Sequence, residues 1–198
     1  MIQELIIATN NNDKLKEIVS ILNFNIKIIP ITCFPNCPII VEDGKTLEEN
    51  AIKKAKGAAI FLRQWVLADD SGLEVNCLNG LPGVHSARFA GQKCSYNDNN
   101  KKLLRLLKYK KNREATFKTV IAIANPYGQI TLVFGKIFGK ISNMMKGING
   151  FGYDSVFYLP NYGKTLAELS PTTKNLISHR AKALKKTKKF IKNNILKI

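Results

Sequence analysis

Two adjacent carboxylates, Asp69 and Asp70, directly follow a short apolar run of the chain. Neighbouring carboxylates at the end of a buried strand repel each other, so they are costly unless a cation lies beside them. A divalent metal held by one or two carboxylates and by substrate phosphates removes that cost, and Mg²⁺ is commonly bound in this way. Glu42 and Asp43, in the loop before a long helix, are the candidates for a second carboxylate. The alternative is a polar turn in which one Asp caps a glycine bend.

A second candidate site lies where the first predicted strand gives way to the first predicted helix. It comprises Thr9, Asn10, Asn11, Asn12, Asp13 and Lys14. Free backbone N–H groups at a helix start, the positive end of the helix dipole and the Lys14 ammonium together attract an anion such as phosphate. A simple Asn-rich turn with Asp13 as the helix cap is the alternative, because the loop lacks the Walker spacing.

Two further segments could hold a nucleoside. The first comprises Gly150, Phe151, Gly152, Tyr153 and Asp154. Its two aromatic rings could stack on a planar base, while the carboxylate could accept from a ring N–H or from ribose. The second comprises Lys174, Ser178, His179 and Arg180, whose donors suit a keto oxygen or a phosphate. A glycine-rich turn with core aromatics and an ordinary surface helix are the alternatives.

The elements that must position these residues alternate between strands and helices. Apolar patterns predict strands at residues 4–9, 26–31, 65–68 (continuing at 73–75 after a glycine) and 155–158, and a β-hairpin of residues 115–124 and 130–138. Helices are predicted at residues 14–22, 46–63, 95–108 and from 178 onward, with Thr46 and Ser95 as N-caps. Residues 139–152 are rich in glycine and are predicted to form turns. The fold class is therefore α/β, and the hairpin makes its sheet mixed.

Composition narrows the class of protein further. At 198 residues and 45% hydrophobic, the chain can bury the core of one domain or of two lobes. We expect a cytoplasmic protein without a membrane partner, because no leader or bilayer-long apolar run is visible. The four cysteines lack paired zinc spacings and are expected to be free thiols. A net charge of +17 favours the binding of polyanions such as nucleic acids or triphosphates. The lysine-rich helices nevertheless keep an apolar stripe, as ordinary surface helices do, so nucleic-acid binding is not the favoured function.

Six motifs, in order along the chain, resemble those of the inosine triphosphate pyrophosphatase family. They are T-x-N-x-x-K at residues 9–14, G-x-T-x-x-E-N-A-x-x-K-A at 44–55, A-D-D-S-G-L at 68–73, G-x-P-G-x-x-S-A-R at 80–88, G-F-G-Y-D at 150–154 and K-x-x-x-S-H-R at 174–180. The resemblance implies one two-lobed α/β domain over residues 1–198, with a long central mixed sheet flanked by helices, an active-site cleft between the lobes, and a homodimer. It implies hydrolysis of inosine and xanthosine triphosphates and their deoxy forms to monophosphate and pyrophosphate, which cleanses the nucleotide pool. Mg²⁺ is the implied cofactor, with Mn²⁺ as a substitute.

The resemblance also implies roles for individual residues. Asp70 is the expected catalytic base and a metal ligand, and Glu42 is the expected second metal ligand. The residues expected to hold the triphosphate are Thr9, Asn10, Asn11, Asn12, Asp13, Lys14, Lys54 and Ser71. Those expected to hold the nucleoside are Phe151, Gly152, Tyr153, Asp154, Lys174, His179 and Arg180. Donors from His179 and Arg180 to a 6-keto oxygen would disfavour adenine, which carries an amine at that position. A pyrophosphatase for other modified nucleotides and a basic nucleic-acid-binding protein are the alternatives.

Overall fold

The computed structural model describes residues 4–23 and 25–196 of the chain. Its strands are β1 (Glu4–Ile7), β2 (Lys27–Pro30), β3 (Val66–Val75), β4 (Pro82–Gly83), β5 (Glu114–Ala124), β6 (Ile130–Ile141), β7 (Phe157–Leu159) and β8 (Lys164–Thr165). Its α-helices are α1 (Asn12–Ile21), α2 (Leu47–Leu62), α3 (Tyr96–Leu106), α4 (Pro171–Ile177) and α5 (His179–Asn194). The predicted continuation of the last helix to residues 197–198 lies outside the described residues.

Strands of both orientations share one sheet. Hydrogen-bonded neighbours follow the order β2-β1-β3-β5-β6-β7-β8, with β4 paired to β3. The first strand is parallel to both of its neighbours. Antiparallel pairs join β3 to β4, β6 to β7 and β7 to β8. The predicted α/β class with a mixed sheet is therefore confirmed, whereas the single two-lobed domain with its cleft stays a prediction.

The chain divides into two compact units, each with its own apolar core. The first unit comprises Met1–Asp70, Thr119–Gly135 and Arg180–Ile198, and the second comprises Ser71–Lys118 and Lys136–His179. The core of the first unit includes Leu5, Ile7, Ile18, Leu67, Ile121 and Leu184. The core of the second unit includes Leu73, Leu103, Phe117, Phe157 and Leu166. Within the described residues, no helix is both long and apolar enough to cross a bilayer.

The strand that carries the paired carboxylates is longer than the sequence pattern predicts. The prediction that it ends at Ala68 and resumes after Gly72 is wrong, because β3 runs without interruption from Val66 to Val75. Its first residues pair with β1 and its last with β4, so the backbone is held on both sides of the glycine. Successive side chains of a strand point to opposite faces, so Asp69 and Asp70 enter different surroundings.

Local side-chain contacts explain where the helices begin. Thr46 and Ser95 are N-caps as predicted, and each accepts a hydrogen bond from a backbone N–H three residues later. Asn11 rather than Asp13 caps α1, which therefore begins at Asn12, two residues before its predicted start. The helix α4 was not predicted, because seven residues are too few for a clear apolar period.

The long apolar runs near the middle of the chain form neighbouring strands, as predicted. In the turn between β5 and β6, the Asn125 side chain accepts hydrogen bonds from the N–H groups of Tyr127 and Gln129, each at 3.0 Å. The second strand continues to Ile141, so the predicted turning segment 139–152 begins as strand. Gly139 permits this extension, because a Cβ there would meet the Phe157 ring at 2.7 Å.

Candidate functional site

A cluster of charged side chains in the first unit surrounds the buried carboxylate of Asp69, and we call it the charge cluster. The Asp69 carboxylate lies 3.1 Å from Lys14 Nζ and 3.3 Å from Arg180 Nη2, and the backbone carbonyl of the same residue accepts from Lys54 Nζ at 2.7 Å. Burial acts to raise the pKa of this carboxyl, but Lys14, Arg180 and Lys54 outweigh burial and hold the pKa well below its usual range. Asp69 therefore stays ionised and holds the side chains of Lys14, Arg180 and Lys54 in position.

Asp70 lies in different surroundings from its neighbour. Its Oδ2 accepts a hydrogen bond from Asn50 Nδ2 at 3.1 Å, and the residue is 8% exposed. Burial raises the pKa of Asp70, and the negative charge of Glu42 raises it further, while Lys54 and Lys14 lower it. The net shift is upward, so this carboxylate binds a proton more readily than an ordinary Asp and is the better candidate for a general base.

The structure separates the two candidates for the second carboxylate. Glu42 Oε2 lies 3.0 Å from Lys54 Nζ, which also contacts the Asp69 carbonyl. Asp43 instead pairs with the exposed Lys53 at 2.5 Å. Glu42 therefore belongs to the charge cluster and Asp43 does not, which favours Glu42 over Asp43 as the candidate for the second carboxylate.

Arg180 is part of the same cluster. Its Nη1 pairs with the Glu17 carboxylate, and its Nε and Nη2 each lie 3.3 Å from Asp69 Oδ2. The residue is 2% exposed, so the alternative of an ordinary surface position is wrong. The sequence assigned Arg180 to the nucleoside, but the structure directs its guanidinium to these two carboxylates. We infer that it positions Asp69, and through Asp69 the Lys14 ammonium.

The polar loop before α1 is only partly as predicted. Asn11 Oδ1 accepts from the N–H groups of Asp13 at 2.9 Å and Lys14 at 3.1 Å. The prediction that the N–H groups at this helix start are free for phosphate is therefore wrong for these two, because the cap already satisfies them. Thr9 Oγ1 in turn accepts from the Asn11 N–H at 3.2 Å. The Lys14 side chain remains the candidate for anion binding in this segment, and burial lowers its pKa.

The charge cluster is suited to a divalent cation. It contains four carboxylates and three cations, an excess of one negative charge: Glu17, Glu42, Asp69 and Asp70 against Lys14, Lys54 and Arg180. Within the described part of the chain, no three His, Cys, Asp or Glu side chains are grouped to hold a metal alone. Mg²⁺ needs only one or two carboxylates when substrate phosphates complete its shell. Glu42 and Asp70 would supply those carboxylates.

In the second unit, residues 150–154 form a tight turn around a buried ion pair. Asp154 Oδ2 accepts from the Phe151 N–H at 2.8 Å and pairs with Lys174 Nζ. The same ammonium lies 4.6 Å from the centre of the Phe151 ring. Gly150 has a φ of +76°, and a Cβ there would collide with the Asp154 carboxylate. The turn thus places an aromatic ring, a carboxylate and an ammonium together.

Two predicted nucleoside residues of this unit, Tyr153 and His179, pack into its buried interior. The Tyr153 ring is buried, and its hydroxyl donates to the Ser86 carbonyl at 2.8 Å. We correct the prediction that this ring stacks on a base, because it packs edge-on against Phe117 instead. His179 is also buried and stacks on Phe117 with ring centres 3.9 Å apart. The half-buried Phe151 is the remaining aromatic candidate for a base.

Two contributing residues were given no role from the sequence. Glu17 holds Arg180, and Asn50 holds Asp70. The sequence contained an indication that each of these two residues could contribute. Glu17 lies three residues after Lys14 on one helix face, and Asn50 is a polar residue on the small apolar face of α2. Their partners lie more than ten residues away in the chain, so the pairing itself was not visible.

Comparison with known proteins agrees with this arrangement of motifs. A profile of the Ham1 family matches residues 5–190. The chain is 48% identical over 191 residues to the dITP/XTP pyrophosphatase of Desulforamulus reducens, covering 95% of each chain. It is also 48% identical over 192 residues to the dITP/XTP pyrophosphatase of Thermoanaerobacter sp., covering 95% of this chain and 96% of the other.

Solved structures of this family have the same fold. The Ham1 protein of Staphylococcus aureus superposes with a TM-score of 0.88 at 40% identity, over 96% of this chain and 99% of the other. A HAM1 protein from Coxiella burnetii gives a TM-score of 0.89 at 39% identity over the same shares. Since both sequence and fold match along nearly the whole length, the chain belongs to the Ham1 family.

Proposed function

We propose that this chain hydrolyses inosine and xanthosine triphosphates and their deoxy forms to the nucleoside monophosphate and pyrophosphate. The observation that carries the proposal is the charge cluster, in which the buried Asp70 carboxylate accepts a hydrogen bond from Asn50 and lies in the field of Lys14 and Lys54. Phosphoryl chemistry depends mainly on such positioning and charge. Membership of the Ham1 family, whose relatives are named dITP/XTP pyrophosphatases, supports the substrate class.

In the proposed reaction, Asp70 accepts a proton from the water that attacks the α-phosphorus. The bond between that phosphorus and the bridging oxygen breaks, and its electron pair leaves with pyrophosphate. Asn50 orients the Asp70 carboxylate through its hydrogen bond, and the ammonium groups of Lys14 and Lys54 offset the charge of the leaving group. Mg²⁺, or Mn²⁺ in its place, would supply further positive charge when held by Glu42 and Asp70.

We assign the nucleoside to the turn of residues 150–154 in the second unit. Phe151 offers a face for the base, while Asp154 and Lys174 offer an acceptor and a donor. A 6-keto base presents an acceptor where adenine presents an amine, so a fixed donor discriminates between them. His179 is retained as a proposed contributor, because its imidazole can donate a hydrogen bond to a 6-keto oxygen.

A panel of nucleoside triphosphates tests this proposal. With Mg²⁺ present, we expect inosine, deoxyinosine and xanthosine triphosphates to release pyrophosphate, with kcat/KM at least about 10²-fold above that for ATP. Pyrophosphate and orthophosphate are measured separately. Release of orthophosphate, or a preference for pyrimidine or other modified nucleotides, would contradict the proposal. So would salt-dependent nucleic-acid binding without any triphosphate hydrolysis.

Replacing Glu42 tests the proposed metal ligands. Glu42→Gln should raise the Mg²⁺ concentration for half-maximal activity by about tenfold or more, because a neutral amide is a weaker ligand than a carboxylate. The measurement is a Mg²⁺ titration at saturating inosine triphosphate. Asp43→Asn is the matched control and should leave that concentration unchanged, since Asp43 pairs with exposed Lys53. The reverse order of effects would assign the ligand to Asp43.

Replacing Gly150 tests the turn. Gly150→Ala should raise KM for inosine triphosphate about tenfold, because the new Cβ displaces the Asp154 carboxylate and approaches Lys174 Nζ within 3.1 Å. Gly163→Ala is the control, since Gly163 also has a positive φ, +62°, but open space around it. The control shares only the backbone cost of about 1–2 kcal/mol, which thermal melting reports. Equal KM values in the two variants would exclude the proposed geometry.

A further inference from the structure

The helix α3 holds the 150–154 turn through one buried side chain, Asn100. Asn100 Nδ2 donates to the Gly152 carbonyl at 2.9 Å and to Ser155 Oγ at 3.2 Å. An amide nitrogen carries two hydrogens, so one group can make both bonds. The two acceptors lie on either side of Tyr153 and Asp154 in the chain. One side chain therefore restrains both ends of the segment that carries the proposed nucleoside-binding carboxylate.

Tyr153 and Asp154 have further contacts, with the Ser86 carbonyl and with Lys174, whereas Gly152 can be held only through its backbone. Gly152 has a φ of +62° and no side chain, so its carbonyl has no packing of its own to orient it. The backbone bond from Asp154 N–H to the Phe151 carbonyl is 3.2 Å long. The same helix also contacts the turn from its first residue, since the Tyr96 ring lies 5.9 Å from the Phe151 ring.

We propose that Asn100 is a positioning residue for nucleoside recognition. By holding Gly152 and Ser155, it fixes the backbone from which the Phe151 ring and the Asp154 carboxylate project, in addition to the contacts that both make with Lys174, and it acts on the nucleoside only through them. The inference rests on the proposed function, which assigns the nucleoside to this turn. The proposal also assigns a function to the buried face of the lysine-rich helix α3, for which the sequence pattern indicated only an ordinary surface helix.

The neighbouring residue shows that this restraint is specific to Asn100. Asn99 is equally buried, but its side chain accepts from the Ala90 N–H at 2.7 Å and donates to the Ala87 carbonyl at 3.1 Å. It therefore fixes a different loop. Asn97, by contrast, is exposed on the same helix and provides a matched control for a change of Asn to Asp.

The test compares Asn100→Asp with Asn97→Asp. Asn100→Asp keeps the shape of the side chain but replaces the donor nitrogen by a carboxylate oxygen that faces the Gly152 carbonyl. We expect KM for inosine triphosphate to rise about tenfold with kcat within about threefold, and the kcat/KM ratio of inosine triphosphate to ATP to fall about tenfold. Asn97→Asp should change neither quantity.

A role in folding alone would give a different result. Fewer folded molecules lower the apparent kcat for every substrate equally and leave KM and the kcat/KM ratio unchanged, and that result would overturn the inference. If Asn100→Asp is too unstable to purify, Ser155→Ala removes one of the two acceptors and should lower the same ratio about twofold to threefold; an unchanged ratio would again overturn it. Failure of the wild-type protein to release pyrophosphate from inosine triphosphate would instead reject the proposed function.

Discussion

Asp70→Asn is expected to lower kcat for inosine triphosphate by about 10³-fold while KM changes by no more than a few-fold. The amide has the shape of the carboxylate and can still contact Asn50, but it cannot accept a proton from water. A base that acts in the transition state contributes to kcat more than to substrate binding. Rates should be measured at saturating Mg²⁺, because the substitution also removes a proposed ligand.

The pH dependence of the wild-type rate provides a second measurement on the same residue. Burial raises the pKa of Asp70, so the rate should fall as the pH drops through a value above the ordinary 3.9 or so of Asp. This acidic limb should be absent from the residual activity of Asp70→Asn. Asp43→Asn, which removes an exposed carboxylate, should retain both the rate and the limb. Near-normal turnover in Asp70→Asn would show that another group is the base.

Arg180→Met is expected to lower the free energy of unfolding by about 3–5 kcal/mol, because it removes the buried guanidinium that pairs with the carboxylates of Asp69 and Glu17. For a chain of this length, the melting temperature should fall by on the order of 10 °C. Methionine has a similar length, so the loss reflects charge more than packing. Lys185→Met, on the exposed face of the same helix, should change stability little.

The pH dependence distinguishes a charge effect from a cavity effect. The pKa of Asp69 in the folded protein is held below its unfolded value, so its contribution to stability is full above about pH 4 and is lost as the pH falls through the folded pKa. In Arg180→Met, the folded pKa rises and this contribution shrinks. The difference in unfolding free energy between wild type and variant should therefore be full at pH 7 and should shrink as the pH falls through the raised folded pKa of Asp69 in the variant. A difference independent of pH would indicate lost packing.

Features that depend on neighbours in the chain could be predicted from the sequence. Thr46 and Ser95 start their helices because a cap satisfies N–H groups only two or three residues away. Motif spacing also singled out the paired carboxylates, the polar loop before α1 and the glycine turn, since each motif is a continuous segment. The length of β3 was missed, because hydrogen bonds to strands distant in the chain override the local preference of Gly72 for a bend.

Only the tertiary structure decided what each charged residue contacts. Asp69 and Asp70 are indistinguishable as a dipeptide, but alternation along β3 turns one to Arg180, 111 residues away in the chain, and the other to Asn50. In the same way, α2 presents Lys54 to Glu42 and Lys53 to Asp43. The strength of a charge pair depends on distance and on exclusion of water, and the packing of segments that are remote in the chain determines both.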